Sequence, residues 1–247
     1  MVLRVGVECG AKGPMNIVRG NPQGTGRKMA SSSQSEIPDE RQIFEIILPY
    51  VRDTPYHLPH MVRSHLELLM AWNTKIGLTS ITDPRGILRT LFGESFFGIR
   101  AAGINGGLAV DVGSGAGFPG IPAAMMVPDL RVVLVESALK KAAFLGEVLR
   151  RLELGGRCEV FRGRFEQWDP QGTLADWVLS RALAIDRKFL SHAKRVLRPG
   201  GLVVLWTTTD IARRIASGFA SGWLWKEAVP IPGAERRCLL AGVRSGG

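Results

Sequence analysis

A glycine-rich segment near the middle of the chain has the composition of a ligand-binding loop. Residues 111–120 read DVGSGAGFPG and lie between a short apolar run and a segment of helical character. Because glycine has no Cβ atom, such a loop can turn tightly and let a ligand approach the backbone closely. Glu136 ends the next apolar run, a position from which a carboxylate can accept hydrogen bonds from both ribose hydroxyls of a nucleoside. These features predict a nucleotide or nucleoside site.

Two kinds of cofactor are compatible with this loop. Residues 115–120 match G-x-G-x-x-G, the fingerprint of dinucleotide sites, and Glu136 follows at about the expected distance. In that fingerprint the first glycine directly ends the strand, whereas here Gly113 and the acidic Asp111 precede it. S-adenosyl-L-methionine has no pyrophosphate, so its site needs accessible backbone and an acid that faces the methionine ammonium group. The D-x-G-x-G-x-G pattern therefore favours S-adenosyl-L-methionine as the ligand. The alternatives are that the loop binds NAD or that it binds no ligand.

Short apolar runs alternate with helix-length segments from Leu108 onward, a pattern typical of βαβ units around a parallel sheet. The predicted parallel strands are Leu108–Val112, Arg131–Glu136, Cys158–Phe161, Trp177–Ser180 and Leu202–Thr207, with a turn at residues 197–201 before the last of them. A late pair, Trp223–Pro230 and Arg237–Val243, is separated by a turn at Pro232-Gly233. The predicted fold is α/β, a Rossmann-like class I methyltransferase sheet of parallel strands with a terminal antiparallel hairpin.

The segments before this sheet predict helices. One helix is expected around Asp39–Leu48, one along the apolar face of Val62, His65, Leu66 and Leu69 as far as Trp72, and one that Asp83 caps ahead of Pro84. Residues 1–35 are rich in Gly, Ser and Pro and are expected to form a disordered leader, with Met29 as an alternative start. The predicted division is a leader at 1–35, an N-terminal helical subdomain at 36–104 and an S-adenosylmethionine-binding domain at 105–247.

The composition and net charge of the chain indicate which binding partners to expect. The 247 residues carry a net charge of +10, and a basic surface attracts polyanions such as nucleic acid, although it can also reflect solubility alone. No apolar run approaches the ~20 residues that a membrane span needs, and no secretory signal is visible. The three cysteines and four histidines are scattered without metal-ligand spacing. We therefore expect a cytoplasmic protein with no bound metal and no membrane association.

Several further segments carry a resemblance to a known family. Beside residues 111–122 they are Trp72-Asn73, Leu78-Thr79, Asp83-Pro84, Gly93-Glu94-Ser95, Pro128–Arg131, Glu136-Ser137, Lys140-Lys141, Phe144-Leu145, Gly163–Glu166 and Ser180-Arg181-Ala182. Over roughly residues 40–245 the chain resembles the ribosomal RNA small-subunit methyltransferase G family, also called glucose-inhibited division protein B. Its members are 16S rRNA (guanine-N7)-methyltransferases. The combination of Gly-Phe-Pro-Gly with Ser-Arg-Ala is the most specific part of the match.

The resemblance implies roles for individual residues. Gly113 and Phe118 would line the methionine and ribose part of the cofactor site, Phe165 and Glu166 would border the adenine, and Arg181 would complete the mouth of the pocket. Together with the loop analysis, the predicted cofactor-binding set is Asp111, Gly113, Gly115, Gly117, Phe118, Glu136, Phe165, Glu166 and Arg181. No catalytic residue is assigned, because guanine N7 has a free lone pair and its methylation needs no general base.

The chain also departs from the family at two positions on the expected RNA side. A family histidine is replaced at Thr90-Leu91, and a family lysine at the end of the fifth strand is replaced within Trp206-Thr207-Thr208. Three hypotheses follow: a monomeric methyltransferase that acts on 16S rRNA or the small ribosomal subunit, a non-catalytic RNA-binding relative, and an NAD-binding enzyme. The candidate phosphate contacts are Arg85, Arg89, Lys140, Lys141, Arg236 and Arg237.

Overall fold

The computed structural model describes residues 36–51, 55–181 and 183–245. The predicted leader at 1–35 lies outside these ranges. The strands are β1 Gly107–Val112, β2 Leu130–Glu136, β3 Cys158–Arg162, β4 Ala175–Arg181, β5 Leu197–Thr208, β6 Trp223–Trp225, β7 Val229–Pro230 and β8 Arg237–Arg244. The helices are α1 Glu40–Ile47, α2 Leu58–Ile76, α3 Pro84–Ile87, α4 Glu94–Ala102, α5 Gly120–Met126, α6 Leu139–Arg151, α7 Arg187–Val196 and α8 Thr209–Gly218.

All eight strands form one sheet in the order β3-β2-β1-β4-β5-β8-β6, with β7 beside β8. Strands β1 to β5 pair in parallel, and β8 runs antiparallel to β5. The predicted α/β sheet is therefore confirmed. Because β1 pairs with β2 on one side and with β4 on the other, the strand order reverses at β1. Open α/β sheets bind ligands in the crevice that such a reversal creates at the carboxyl ends of the strands.

Two details of the predicted strands are wrong, and bulges explain both. The predicted strand Trp223–Pro230 is divided into the two short strands β6 and β7. Between the pairs Trp225↔Gly242 and Val229↔Leu239 this segment has three residues, whereas β8 has only two, so the extra residue forms a bulge that interrupts the pairing. The predicted turn at 197–201 lies inside β5, where the register with β4 shifts between Ala175↔Leu197 and Trp177↔Leu202.

The helices before the sheet begin where their capping residues place them. The Asp39 side chain accepts from the Gln42 N–H at 2.8 Å, and the Asp83 side chain accepts from the Gly86 N–H at 2.7 Å, directly before Pro84 in α3. Helix α2 continues past Trp72 and ends where Gly77 adopts a left-handed conformation. A π-helical turn, Leu88–Gly93, joins α3 to α4.

The core has two parts, one on each face of the sheet. One face is covered by helices α1, α2, α4, α5 and α6, and Phe92, Phe96 and Phe144 are fully buried there. The other face is covered by α7 and α8, which pack around Phe165 and Phe189. The helices before β1 share one hydrophobic core with the sheet. The predicted boundary at residue 104 between a helical subdomain and a cofactor-binding domain stays a prediction. Among the described residues, no helix combines the length and apolar character that crossing a bilayer requires.

Candidate active site

The glycine-rich loop is tied to the end of the neighbouring strand β2. The backbone N–H groups of Gly113 and Ser114 both donate to the Val135 carbonyl oxygen, at 2.9 and 3.1 Å. Gly113 has φ +71°, and a Cβ atom there would lie 2.7 Å from Leu183 Cδ1. Only glycine combines this backbone conformation with so close an approach to the segment that follows β4.

Glu136 holds the loop from β2. Its Oε2 accepts from the Gly115 N–H at 3.0 Å and its Oε1 accepts from the Ala138 N–H at 2.8 Å. The residue is only 8% exposed. Because a carboxylate offers about four acceptor positions, each oxygen keeps a lone pair for a ligand. The backbone thus orients Glu136 at the carboxyl end of β2, where the sequence predicts a ribose contact.

A cavity of about 390 Å³ opens over this loop at the point where the strand order reverses. Five of the predicted cofactor-binding residues line it, namely Gly113, Gly115, Glu136, Phe165 and Glu166. Lys141, Asp186 and Leu183 are among its other lining residues. We call this space the first cavity. The structure therefore brings together residues from the ends of β1, β2 and β3 that lie far apart in sequence.

Asp111 does not line the first cavity. It is fully buried, and its Oδ2 accepts from the Gly120 N–H at 3.0 Å. The side chain points to the start of α5, where Pro119 gives no side-chain cap, and the expected contact of Asp111 with a ligand's ammonium group stays a prediction. Its Oδ1 has no hydrogen-bond partner among the described residues. Burial is the largest influence on this carboxyl and raises its pKa to about 7.

Gly117 and Phe118 also lie behind the loop rather than in the first cavity. Phe118 is buried and stacks on His65, with ring centroids 5.1 Å apart. A Cβ atom on Gly117 would overlap Cδ1 of Ile121. The first turn of α5 and helix α2 pack against this side of the loop, and the expected contacts of these two residues with the cofactor stay predictions.

His65 is a residue whose link to the loop the sequence did not reveal. It lies on the apolar face of α2, and its Nε2 is 3.0 Å from the Ala116 carbonyl oxygen. Burial lowers its pKa to about 4, so the ring is neutral and Nε2–H is the donor. Through this hydrogen bond, helix α2 holds the glycine-rich loop in place.

Arg181 lines a second cavity of about 360 Å³ at the carboxyl ends of β4 and β5. It is not among the residues that line the first cavity, and its expected place at the mouth of the cofactor pocket stays a prediction. Its Nη2 donates to Glu94 Oε2 at 3.0 Å and to the Thr90 carbonyl oxygen at 2.9 Å. Leu183 and Ala184 line both cavities, so the two spaces adjoin. No cluster of His, Cys, Asp or Glu suited to a metal ion is found within residues 36–51, 55–181 and 183–245.

The comparisons with known proteins identify the family. The family model for rRNA small subunit methyltransferase G matches residues 60–216. The chain is 36% identical to the ribosomal RNA small subunit methyltransferase G of Xanthomonas euvesicatoria pv. vesicatoria (strain 85-10), over 74% of this chain and 84% of that protein. It is 37% identical to the protein of the same name from Roseiflexus sp. (strain RS-1), over 70% and 77%. The chain belongs to this family.

Solved structures agree with the sheet. A SAM dependent methyltransferase from Aquifex aeolicus superposes with a TM-score of 0.53 at 17% identity, covering 64% of this chain and 93% of that one. A methyltransferase from Pyrococcus furiosus has a TM-score of 0.53 at 16% identity, covering 74% and 97%. The protein is a class I methyltransferase whose cofactor is S-adenosyl-L-methionine, as the loop pattern favoured over NAD.

The two segments at which the sequence analysis expects a departure from the family lie beside the second cavity. Thr90 is in the π-helical turn, and its carbonyl oxygen accepts from Arg181. Trp206 lines the second cavity and is 5% exposed, and its Nε1 donates to the Glu94 carbonyl oxygen at 2.8 Å. The cationic side chains that line this cavity, Arg181 and Arg237, come from β4 and β8.

Proposed function

We propose that this enzyme methylates N7 of a guanine in 16S ribosomal RNA. The observation that carries the proposal is the first cavity: backbone of Gly113 and Gly115 on one side and the Glu136 carboxylate on the other, at the reversal of the strand order. The relatives named ribosomal RNA small subunit methyltransferase G support an RNA substrate. Such a substrate would place the enzyme in the cytoplasm with the small ribosomal subunit, where we expect it to act as a monomer.

The residues of the first cavity suit the parts of S-adenosyl-L-methionine. Glu136, already oriented by two backbone N–H groups, has lone pairs left for the ribose hydroxyls. Phe165 and Glu166 follow β3 on a 3₁₀ turn and would border the adenine. Gly113 and Gly115 leave the backbone open to the methionine part. Asp111 would act indirectly, since it fixes the start of α5 behind the loop.

Methyl transfer to guanine N7 requires that the two reacting groups are correctly positioned, and it requires no proton transfer. The bound cofactor supplies an electrophilic methyl group on a sulfonium. Guanine N7 would accept this methyl group through its lone pair, sulfur would keep the electron pair of the broken S–C bond, and no side chain of the enzyme would have to move a proton. The residues around the two adjoining cavities therefore have to hold N7 in line with that methyl group and exclude water. Orientation of this kind can lower a barrier by about 7–11 kcal/mol.

Methyl transfer to small-subunit particles tests the proposal. The particles come from a strain that lacks its own enzyme, the methyl donor is labelled, and the RNA is digested for nucleoside analysis. We expect labelled N7-methylguanosine with the wild type and none with Gly113→Arg, because a side chain at this glycine would enter the contact with Leu183. Gly77→Arg is the matched control, since Gly77 also has positive φ, +61°, but has open space around it.

Two outcomes would contradict the proposal. One is a labelled nucleoside other than N7-methylguanosine. The other is binding of S-adenosyl-L-homocysteine, measured by calorimetry, without any labelled RNA. Equal loss of activity in Gly113→Arg and Gly77→Arg would instead show that backbone strain, and not the cofactor cavity, accounts for the effect.

A further inference from the structure

We propose that the second cavity receives the guanine to be methylated and that Glu94 recognises its Watson–Crick edge. The inference rests on the proposed function and assigns a specificity-determining residue to it. Leu183 and Ala184 separate the second cavity from the first and line both. A base held in the second cavity is thus next to the space assigned to the cofactor.

The lining of the second cavity suits a flat, polar-edged ring. Leu205, Trp206, Ile211 and Ile231 provide apolar walls, and Glu94, Arg181 and Arg237 provide charged groups. Ligand sites generally combine such apolar walls with a few placed polar groups. A purine that has been unstacked from RNA presents two apolar faces and a hydrogen-bonding edge, and single-stranded bases are commonly recognised in this way.

Glu94 is the acidic centre of this lining. It is only 3% exposed. Arg181 Nη2 donates to its Oε2 at 3.0 Å, and Arg237 Nη2 lies 2.7 Å from its Oε1. Burial is the largest influence on Glu94 and raises its pKa, and the two guanidinium groups offset only part of this increase. Buried charges of this kind contribute little to stability compared with apolar side chains, so fold stability alone does not account for them.

A second observation comes from Arg181 itself. Its Nη1 is buried without a hydrogen-bond partner among the described residues, and a buried donor without a partner calls for an explanation such as a ligand. The Nη2 of the same guanidinium is fixed by the Thr90 carbonyl oxygen of the π-helical turn. π-helical turns frequently occur at functional sites. The guanidinium is therefore rigidly placed, and the N–H donors of its Nη1 are left for a ligand.

Guanine matches this arrangement of donors and acceptors. Its N1–H and N2 amino group are donors for the remaining lone pairs of Glu94, and its O6 is an acceptor for an arginine N–H. Adenine has an acceptor at N1 and would face the carboxylate unfavourably. N7 lies on the other side of O6 and can face the first cavity. Methylation leaves a positive charge on the purine, which an ionised Glu94 would stabilise as it develops.

The test couples a change in the enzyme to a change in the base. Small-subunit particles are reconstituted with 16S RNA that carries guanosine or inosine at the methylated position, mapped by primer extension. Inosine lacks the N2 amino group. We expect the wild type to prefer guanosine over inosine in kcat/KM by about 10- to 100-fold, the range for a hydrogen bond to a charged group. Glu94→Gln should lower kcat and bring this ratio to within about threefold of unity.

A second variant keeps the experiment informative if Glu94→Gln folds poorly. Glu94→Gln combined with Arg237→Gln removes one anion and one cation together, and it should also abolish the preference. Glu67→Gln is the matched control, because Glu67 bridges Arg63 and Arg151 on the surface, at 3.0 and 3.9 Å, away from both cavities. Binding of S-adenosyl-L-homocysteine should change by less than about threefold in every variant.

The experiment distinguishes failure of the proposed function from failure of the role assigned to Glu94. If the wild type binds S-adenosyl-L-homocysteine but labels neither kind of particle, the proposed function is wrong and the base site falls with it. If the wild type labels guanosine particles and Glu94→Gln keeps the wild-type preference for guanosine over inosine, the role of Glu94 alone is overturned.

Discussion

At the scale of single residues, the site is built around carboxyl groups that the backbone holds. Asp111 and Glu136 end neighbouring strands, and each accepts a backbone N–H from the same loop, at Gly120 and at Gly115. They differ in solvent access, since Asp111 is fully buried whereas Glu136 borders the first cavity. The same chemical group therefore has two different uses: one holds the loop in shape, and the other remains available to a ligand.

The burial of Asp111 predicts a pH dependence of stability. Burial raises its pKa to about 7 in the folded protein, against an ordinary value of 3.8. The folded state thus binds this proton more tightly than the unfolded chain, and the contribution of Asp111 to stability is present at low pH and disappears as pH rises from about 4 to about 7. Relative to Asp111→Asn, the wild type should become less stable by up to roughly 4 kcal/mol across this window.

Urea unfolding of the cofactor-free protein between pH 4 and pH 8 measures this difference. Asp129→Asn, which makes the same change at an exposed carboxyl, is the control for effects of the substitution that do not come from burial. A constant difference for Asp111→Asn would mean that Asp111 is ionised throughout this range, and the assignment of a buried, proton-binding carboxyl would be wrong.

At the scale of elements, the second cavity depends on how closely α4 approaches β5. A Cβ atom on Gly98, in α4, would overlap Cζ2 of Trp206. The glycine therefore permits the contact in which Trp206 donates to the Glu94 carbonyl oxygen. The π-helical turn before Glu94 is part of the same arrangement, since its Thr90 carbonyl oxygen is turned towards Arg181.

Gly98→Ala should destabilise the enzyme, although alanine is the better helix former. The added methyl group would displace the Trp206 ring, and overpacking of this kind typically costs about 1–3 kcal/mol. Gly146→Ala is the matched control, because Gly146 is also inside a helix, α6, but has open space around it. This control should gain about 0.5–1 kcal/mol. Thermal unfolding measures both, and a stabilised Gly98→Ala would show that the contact with Trp206 is readily relieved.

At the scale of the whole molecule, the net charge of +10 favours a polyanionic substrate, and the cavities indicate where part of that charge acts. Lys141 lines the first cavity and Arg237 the second. Arg236 lines a neighbouring surface depression that shares Thr208 and Arg237 with the second cavity. Basic side chains thus border the proposed path of the RNA, at the carboxyl edge of the sheet.

Neutralising these side chains should reduce the salt dependence of RNA binding. In the triple variant Lys140→Gln, Lys141→Gln and Arg236→Gln, the slope of log affinity against log salt concentration should fall by about 0.7–0.9 for each phosphate that is no longer neutralised. The charge-matched control changes Arg41, Arg150 and Arg213, which are exposed and paired with acids of their own helices. Filter binding of small-subunit RNA between 50 and 200 mM salt, roughly the range over which such interactions weaken, compares the two. Equal slopes would contradict a localised RNA surface.

The sequence by itself determined those features that depend on neighbours along the chain. The glycine-rich loop, Glu136 at the end of β2, and the strands around them follow from short-range patterns of apolar, glycine and acidic residues, because strand alternation and turn conformation are local properties. The capping residues Asp39 and Asp83 could be predicted for the same reason: each bonds to backbone within three residues. The choice of S-adenosyl-L-methionine over NAD also came from the loop alone.

Only the tertiary structure decided which side chains meet. Arg181 contacts Glu94 across 87 residues, and Trp206 contacts the backbone of Glu94 across 112. No periodicity reveals such pairings, so the sequence did not indicate that Arg181 pairs with Glu94, and Glu94 was not assigned to a site at all. The burial of Asp111 and Phe118 was decided in the same way: a motif specifies which residues a loop contains, while the packing of α2 and α5 against it decides which of them face solvent.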